Sequence, residues 1–293
     1  MNIVVTIVLC SLLLTALPYV SAAASSFLTA IDTPSFLTYG AAGAEYFSID
    51  NVSYMAVANF WDGVDPTMGA FSRVYEVIFD AADTISFRLV QQFLSHGAHG
   101  VDFFSINLHH EMFHLLVIPN YYACDRNQPT CISTKVYQWN RDTSMFIEAF
   151  GLPGAGASQT DHFTYLDFTY LVVVENFQSQ MSVYKLLYSY DNKSRTIIQP
   201  KKIDLLPLSG AAACAISNIN GDVYLVGASY YDNGWSTESI VYLFNPTNEK
   251  FMNYQKLATY GAHDAETIYY NGSYFLFFSE DRNQHTPLVS SKV

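Results

Sequence analysis

The chain has 293 residues, with 14 Lys and Arg against 26 Asp and Glu, a formal charge of −12 at neutral pH. A surface so acidic excludes nucleic acid and anionic membrane as electrostatic partners. With 22 Tyr, 21 Phe and only 14% charged residues, the composition suits strands rather than helices.

The first stretch is read as a leader. Ile3 to Leu17 is apolar, then Pro18 is followed by Val20-Ser21-Ala22-Ala23-Ala24, small residues suited to a signal peptidase. A run of about 15 residues is short for a membrane span, so residues 1–24 are expected to be a signal peptide, with a signal anchor as the alternative. No second apolar run reaches spanning length. Residues 25–293 are then expected outside the cell, with no membrane insertion after cleavage.

From Phe36 to Phe60 runs FLTYGAAGAEYFSIDNVSYMAVANF, and its landmarks return four more times. The leading glycines are read as Gly40, Gly97, Gly154, Gly210 and Gly261, at spacings of 57, 57, 56 and 51. Repeats start near 36, 93, 150, 206 and 257. Each reads as four strands: one after the Gly-Ala pair, an apolar one ending at Asn59, Asn120, Asn176, Ser229 and Glu280, one holding Val-Tyr, and a weaker alternating run. Short strands at such a period predict an all-β fold, a β-propeller of five four-stranded blades. The fifth repeat stops at Val293 before a fourth strand, and Phe27 to Phe36 is the matching surplus at the start. An N-terminal strand is therefore expected to close the ring. A truncated copy of a longer propeller is the alternative.

GA-x(5)-F-x-I, then Y-L/M-x-V-A-N, V-Y-x-W/L and F-x(3)-Q-x-L together resemble EAR (epitempin, or EPTP) repeats. These occur in leucine-rich glioma-inactivated proteins and in the thrombospondin-type laminin G/EAR protein. The resemblance spans essentially the whole mature chain and implies an extracellular propeller that binds proteins and does no catalysis. The five repeats here fall short of that family's seven, and no leucine-rich or laminin-G segment accompanies them.

Cysteines fit an oxidising compartment. Cys124 and Cys131 flank a six-residue loop and are expected to pair, leaving Cys214 as a buried free thiol or an intermolecular bridge. The sequons Asn51-Val-Ser, Asn192-Lys-Ser and Asn271-Gly-Ser are expected to carry glycans on one face of the disc. The opposite face receives the longer connections. These supply Trp61, Tyr121, Tyr122, Tyr230, Tyr231 and Trp235 as candidate anchors for an extracellular or cell-surface protein partner.

Two constellations carry possible chemistry. His110-Glu-Met-Phe-His114 matches the H-E-x-x-H zinc pattern, but repeat register puts it in a strand-one to strand-two hairpin, where the two imidazoles do not share a helical face. Five residues after the glycine, allowing two inserted residues in the third repeat, stand Glu45, Asp102, Asp161, Ala215 and Glu266. The four carboxylates are expected to rim the central channel, either holding Ca²⁺ through oxygen ligands or bonding to backbone amides and water. Asp161-His162 and Glu280-Asp281 could also serve as an acid/base pair, since five-bladed furanosidases place carboxylates near a propeller centre. The expected function is thus a secreted, non-catalytic protein-binding module, with a five-bladed propeller glycoside hydrolase or a lectin-like matrix protein as alternatives.

Overall fold

The computed structural model describes residues 38, 40–61, 69–79, 85–108, 111–124, 131–190, 196–231 and 233–280. They form a propeller-like, all-β structure. Four antiparallel four-stranded sheets and one two-stranded sheet follow one another in chain order. The first sheet holds β1 (Ala41–Ile49), β2 (Val52–Asn59), β3 (Ala70–Phe79) and β4 (Ile85–Ser95). The second holds β5 (Asp102–Leu108), β6 (Glu111–Pro119), β7 (Ile132–Asn140) and β8 (Met145–Pro153). The third consists of β9 (Ala157–Tyr165), β10 (Phe168–Glu175), β11 (Gln180–Tyr190) and β12 (Thr196–Pro207). The fourth consists of β13 (Ala211–Ile219), β14 (Asp222–Ser229), β15 (Ser236–Asn245) and β16 (Lys250–Tyr260). The fifth sheet contains β17 (Ala262–Tyr270) and β18 (Ser273–Glu280). The segments proposed to close the ring, Phe27 to Phe36 and the stretch ending at Val293, lie outside the described residues, as does the leader.

The Gly-Ala landmark is a turn. Gly40, Gly97, Gly156, Gly210 and Gly261 all have φ between +56° and +68°, a region open to glycine at no steric cost. Each of the first four accepts, through its carbonyl, the N–H of a residue beyond strand two, the first beyond it for Phe60, Asn176 and Tyr230 and the second for Tyr121, at 2.8–3.0 Å. A β-bulge follows between Ala41 and Gly43, Ala211 and Ala213, and Ala262 and Asp264. The inner strand thus starts from a fixed point on its own sheet.

This turn corrects the reading of the third repeat. The equivalent glycine is Gly156, not Gly154, and strand two ends at Glu175, not Asn176. Gly154-Ala155-Gly156-Ala157 contains two Gly-Ala pairs, and the positive φ of Gly156 together with the hydrogen bond from Asn176 selects the second. With Gly156 as origin, Asp161 falls five residues on with no insertion.

Cores form between successive sheets. One cluster joins Phe47, Ile49, Tyr54 and Val74 of the first sheet to Leu116, Tyr137 and Trp139 of the second. Comparable clusters join the second to the third, the third to the fourth and the fourth to the fifth. The Val-Tyr pair of strand three has a structural reason. A bulge falls between its two residues in β3, β7, β11 and β15 alike. In the third and fourth sheets the tyrosine hydroxyl then reaches back to the preceding sheet, Tyr184 to the Pro153 carbonyl at 3.2 Å and Tyr242 to that of Pro207 at 2.8 Å.

A Cβ added at Gly210 would lie 2.1 Å from the Tyr231 carbonyl oxygen, whereas one at Gly221, also at positive φ, would meet nothing within 4 Å. Gly210→Ala is therefore expected to lower the unfolding free energy by about 2–4 kcal/mol, combining backbone strain and clash. Gly221→Ala should cost only about 1–2 kcal/mol from strain alone. Urea denaturation of both variants measures the difference.

Candidate functional site

The first strands of the sheets surround a polar cavity of about 330 Å³. Its walls include Glu45, Asp102, Asp161 and Glu266, so the four carboxylates singled out by register do line one pocket. They are not equivalent. Asp102 is buried, Glu45 and Asp161 are half-buried, and Glu266 is exposed at the rim. Thr160, His162 and Cys214 complete the part of the wall that bears on chemistry.

The centre of the pocket is a pairing that the sequence did not reveal. His162, one residue past Asp161, places Nδ1 at 3.2 Å from both carboxylate oxygens of Asp102 on the neighbouring sheet. Its ring stacks on Phe104 at 4.4 Å. Burial disfavours the charged imidazole, but the Asp102 hydrogen bond and charge, aided by Asp161 and Glu45, lift its pKa above the usual histidine value. Asp161 is tied down by two backbone amides: Oδ1 accepts from His162 N at 2.7 Å and Oδ2 from Ile216 N at 2.7 Å. The second bond crosses to the next sheet. The expectation that such carboxylates bind backbone amides of the following blade thus holds for Asp161.

Lost hydration, reinforced by the charge of Asp102, raises two carboxyls. Asp161 rises from 3.8 to about 7 despite its amide bonds, and Glu45 rises from 4.5 to about 7. Both are poised to carry a proton near neutral pH. His99, on the axis two residues after Gly97, behaves in the opposite sense. Its ring packs on Phe60 at 5.0 Å and on His263 at 5.8 Å, and burial followed by the His263 charge lowers its pKa to about 4.

One donor of each of Asp102, Asp161 and His162 lies within 4.8 Å of the others. This trio differs from the all-oxygen set expected for Ca²⁺. Two carboxylates and an imidazole suit a borderline divalent metal better than a hard cation.

The remaining expectations can be placed. His114 sits on β6, paired with Ser105 of β5 across a hairpin, with its Nδ1 2.7 Å from Ser105 Oγ. Among the described residues the H-E-x-x-H match falls on the β6 strand, not on a helix; His110 lies outside the described residues. Cys124 and Cys131 form a disulfide with a Cα separation of 5.8 Å, and Cys214 is a buried free thiol. Asn51 and Asn271 stand exposed in the β1–β2 and β17–β18 turns; Asn192 is outside the described residues. Tyr121, Tyr122, Tyr230, Tyr231 and Trp235 join one aromatic cluster beside the glycine turns where the inner strands begin. Tyr121 packs on Phe60, His99 and Phe177, and Tyr230 on Trp235 and His263. Trp61 and Tyr231 are about half exposed, while Tyr121, Tyr122, Tyr230 and Trp235 are half-buried and support one another.

No protein-family profile matches the chain. It is similar to the thrombospondin-type laminin G domain and EAR repeat-containing protein of Mus musculus, with 24% identity over 261 residues, 87% of this chain. That stretch is 37% of the mouse protein's length. Among solved structures it is similar to an exo-β-1,3-galactanase from Phanerochaete chrysosporium, with TM-score 0.48, 9% identity, and coverage of 85% of this chain and 58% of that one. A GH43_1 enzyme from Xanthomonas citri gives TM-score 0.44, 12% identity and 83% coverage of both chains. The parainfluenza virus 5 hemagglutinin-neuraminidase ectodomain gives TM-score 0.45, 10% identity, and coverage of 83% and 65%. At such values the likeness concerns the fold alone.

Two expectations are corrected here: that the chain is a protein-binding module without catalytic activity, and that it is not an enzyme. Glycoside hydrolases stand among the solved structures above, a likeness of fold alone; within this chain the cavity gathers four carboxyl groups and an imidazole, groups able to move a proton.

Folded Glu45 and Asp161 hold protons more tightly than their unfolded values of 4.5 and 3.8 allow. Their contribution to stability is complete below about pH 4 and is lost as pH rises through about 7. The Glu45→Gln/Asp161→Asn double variant should therefore gain stability over the wild type between pH 5 and 8. Chemical denaturation at several pH values checks this; parallel curves for the two proteins would contradict it.

Proposed function

We propose that the chain is a secreted, EAR-related propeller of five blades whose axial pocket hydrolyses a glycosidic bond. The observation that carries this reading is the pairing of two unlike carboxyl groups in one polar cavity. Glu45 is raised to about 7 by lost hydration and the charge of Asp102, while Asp102 is held by the His162 imidazole. Glycoside hydrolysis needs such a division of labour. One carboxyl protonates the leaving oxygen as the bond to the anomeric carbon breaks. A second carboxylate stabilises the positive charge on the sugar and takes the proton of the water that adds to the anomeric carbon, while the leaving group departs as the alcohol.

Glu45 keeps its proton below about pH 7, and among the described residues no backbone amide pins its side chain as two pin Asp161, so it is assigned the acid. Asp102 is assigned the opposing carboxylate, with His162 fixing its two oxygens. Asp161, immobilised by the His162 and Ile216 amides, fixes the strand that carries the imidazole, whose Nδ1 lies 4.0 Å from its Oδ1.

The test is sugar release from a panel of aryl and alkyl glycosides by the purified chain. Glu45→Gln should lower kcat by about 10²–10⁴ on alkyl glycosides, whose leaving groups need a proton. The loss should be smaller on nitrophenyl glycosides, whose leaving groups need none. Activity should fall as pH rises past about 7, where Glu45 gives up its proton. A wild-type chain that releases sugar from no member of the panel would overturn the reading.

A further inference from the structure

The second residue past each turn glycine drops out of its strand's ladder. Pairing jumps from Ala41 to Gly43, Ala157 to Gln159, Ala211 to Ala213 and Ala262 to Asp264, so Ala42, Ser158, Ala212 and His263 are the bulged residues. His99 holds the same place after Gly97, next to the Ala98–Asn120 bridge. A bulge re-aims the side chain that it carries. In three repeats that side chain is small. In the second and fifth it is an imidazole, and the two imidazoles meet, with ring centres 5.8 Å apart and planes at 37°. Phe60 packs edge-to-face on His99 at 5.0 Å, and Tyr230 on His263 at 5.4 Å.

Neither imidazole is committed to another group. Among the described residues, neither ring makes a hydrogen bond or an ion pair. His263 is exposed, and the nitrogens of half-buried His99 are not sealed in the packing as Nε2 of His114 is. Burial, then the charge of His263, lowers the pKa of His99 to about 4, so at neutral pH it is the uncharged ligand form. The acid beside His263 is engaged elsewhere: Asp264 Oδ1 accepts from Ala265 N at 2.9 Å, and its carboxyl also bonds Gln159. The spacing fits a shared ion. A metal–nitrogen bond of about 2.0–2.1 Å puts an imidazole centre about 3.2 Å from the metal, so two rings on one ion stand about 5–6 Å apart.

We infer that His99 and His263 hold one borderline divalent transition metal, of the Zn²⁺ or Cu²⁺ class, which ties the second sheet to the fifth. Water fills its remaining positions. Two neutral imidazoles suit such an ion and offer Ca²⁺ or Mg²⁺ none of the oxygen ligands those cations take. The aromatic rings on either side hold the imidazoles in place and dry the site. The site is separate from the Asp102, Asp161 and His162 trio, which has a single imidazole, and it does not rest on the hydrolase reading.

The experiment is isothermal titration calorimetry of the untagged full chain at pH 7 with Zn²⁺ and with Ca²⁺, followed by electron paramagnetic resonance of the Cu²⁺-loaded chain. Zn²⁺ should bind and raise the melting temperature, and Ca²⁺ should not compete for its site. His99→Gln and His263→Gln should each weaken Zn²⁺ binding by about tenfold or more, while His162→Gln should leave it unchanged. The metal-free melting temperature of His263→Gln should match that of the wild type, because the side chain is exposed. Nitrogen couplings on Cu²⁺ should report two imidazoles in the wild type and one in His263→Gln. Absence of Zn²⁺ binding would overturn the inference. So would binding that survives in His263→Gln and is lost in His162→Gln, which would place the ion on the trio, or a single imidazole on wild-type Cu²⁺.

Discussion

The structure depends on one hydrogen bond repeated from sheet to sheet. A glycine at positive φ offers its carbonyl to a residue just beyond strand two, and the chain then enters strand one through a bulge. The geometry excludes a side chain: at Gly40 and Gly210 a Cβ would collide with the carbonyl of the second residue past strand two. Each inner strand consequently begins at the same height and presents its fifth following residue to the axis. Four carboxylates converge because four of those fifth residues are acidic, not because the axis selects for charge.

Sheet-to-sheet packing holds that register. The interior consists of apolar seams between neighbouring sheets, with buried Leu115, Leu116, Leu171, Leu186 and Leu225. Directional bonds cross the same seams. Gln91 makes a two-way amide contact with the Phe146 backbone, Gln159 Oε1 accepts from Cys214 N, and Asp204 accepts from Phe251 N. The Asp161 bond to Ile216 N belongs to this series. One side chain thus sets the spacing of two sheets and contributes charge to the pocket. The seams oppose the mutual repulsion of the carboxylates, and protonation relieves the rest.

Much of this was legible in the chain because the repeat fixes side-chain direction through period-two alternation. Strand ends at Asn59, Ser229 and Glu280, the Val-Tyr strand and the acidic fifth position follow from alignment alone, while the second repeat's strand stops at Pro119, one residue before the expected Asn120. The third repeat was misjudged because two Gly-Ala pairs lie two residues apart, a shift that preserves alternation and so leaves no trace in the pattern. The His162–Asp102 pair was missed for another reason. It joins the sixth residue past one glycine, Gly156, to the fifth past another, Gly97, and repeat alignment compares like positions only. Nor could composition separate a binding propeller from a hydrolytic one, because the distinction lies in the environment of a few carboxyls.

That environment can be observed directly. Carbon-13 NMR titration of side-chain carboxyls, assigned through Glu45→Gln and Asp161→Asn, reports the protonation of each group. The account predicts midpoints near 7 for Glu45 and Asp161, both moving down in Asp102→Asn as the neighbouring charge is removed. Midpoints for both groups at the ordinary carboxylate values, about 4, would contradict it.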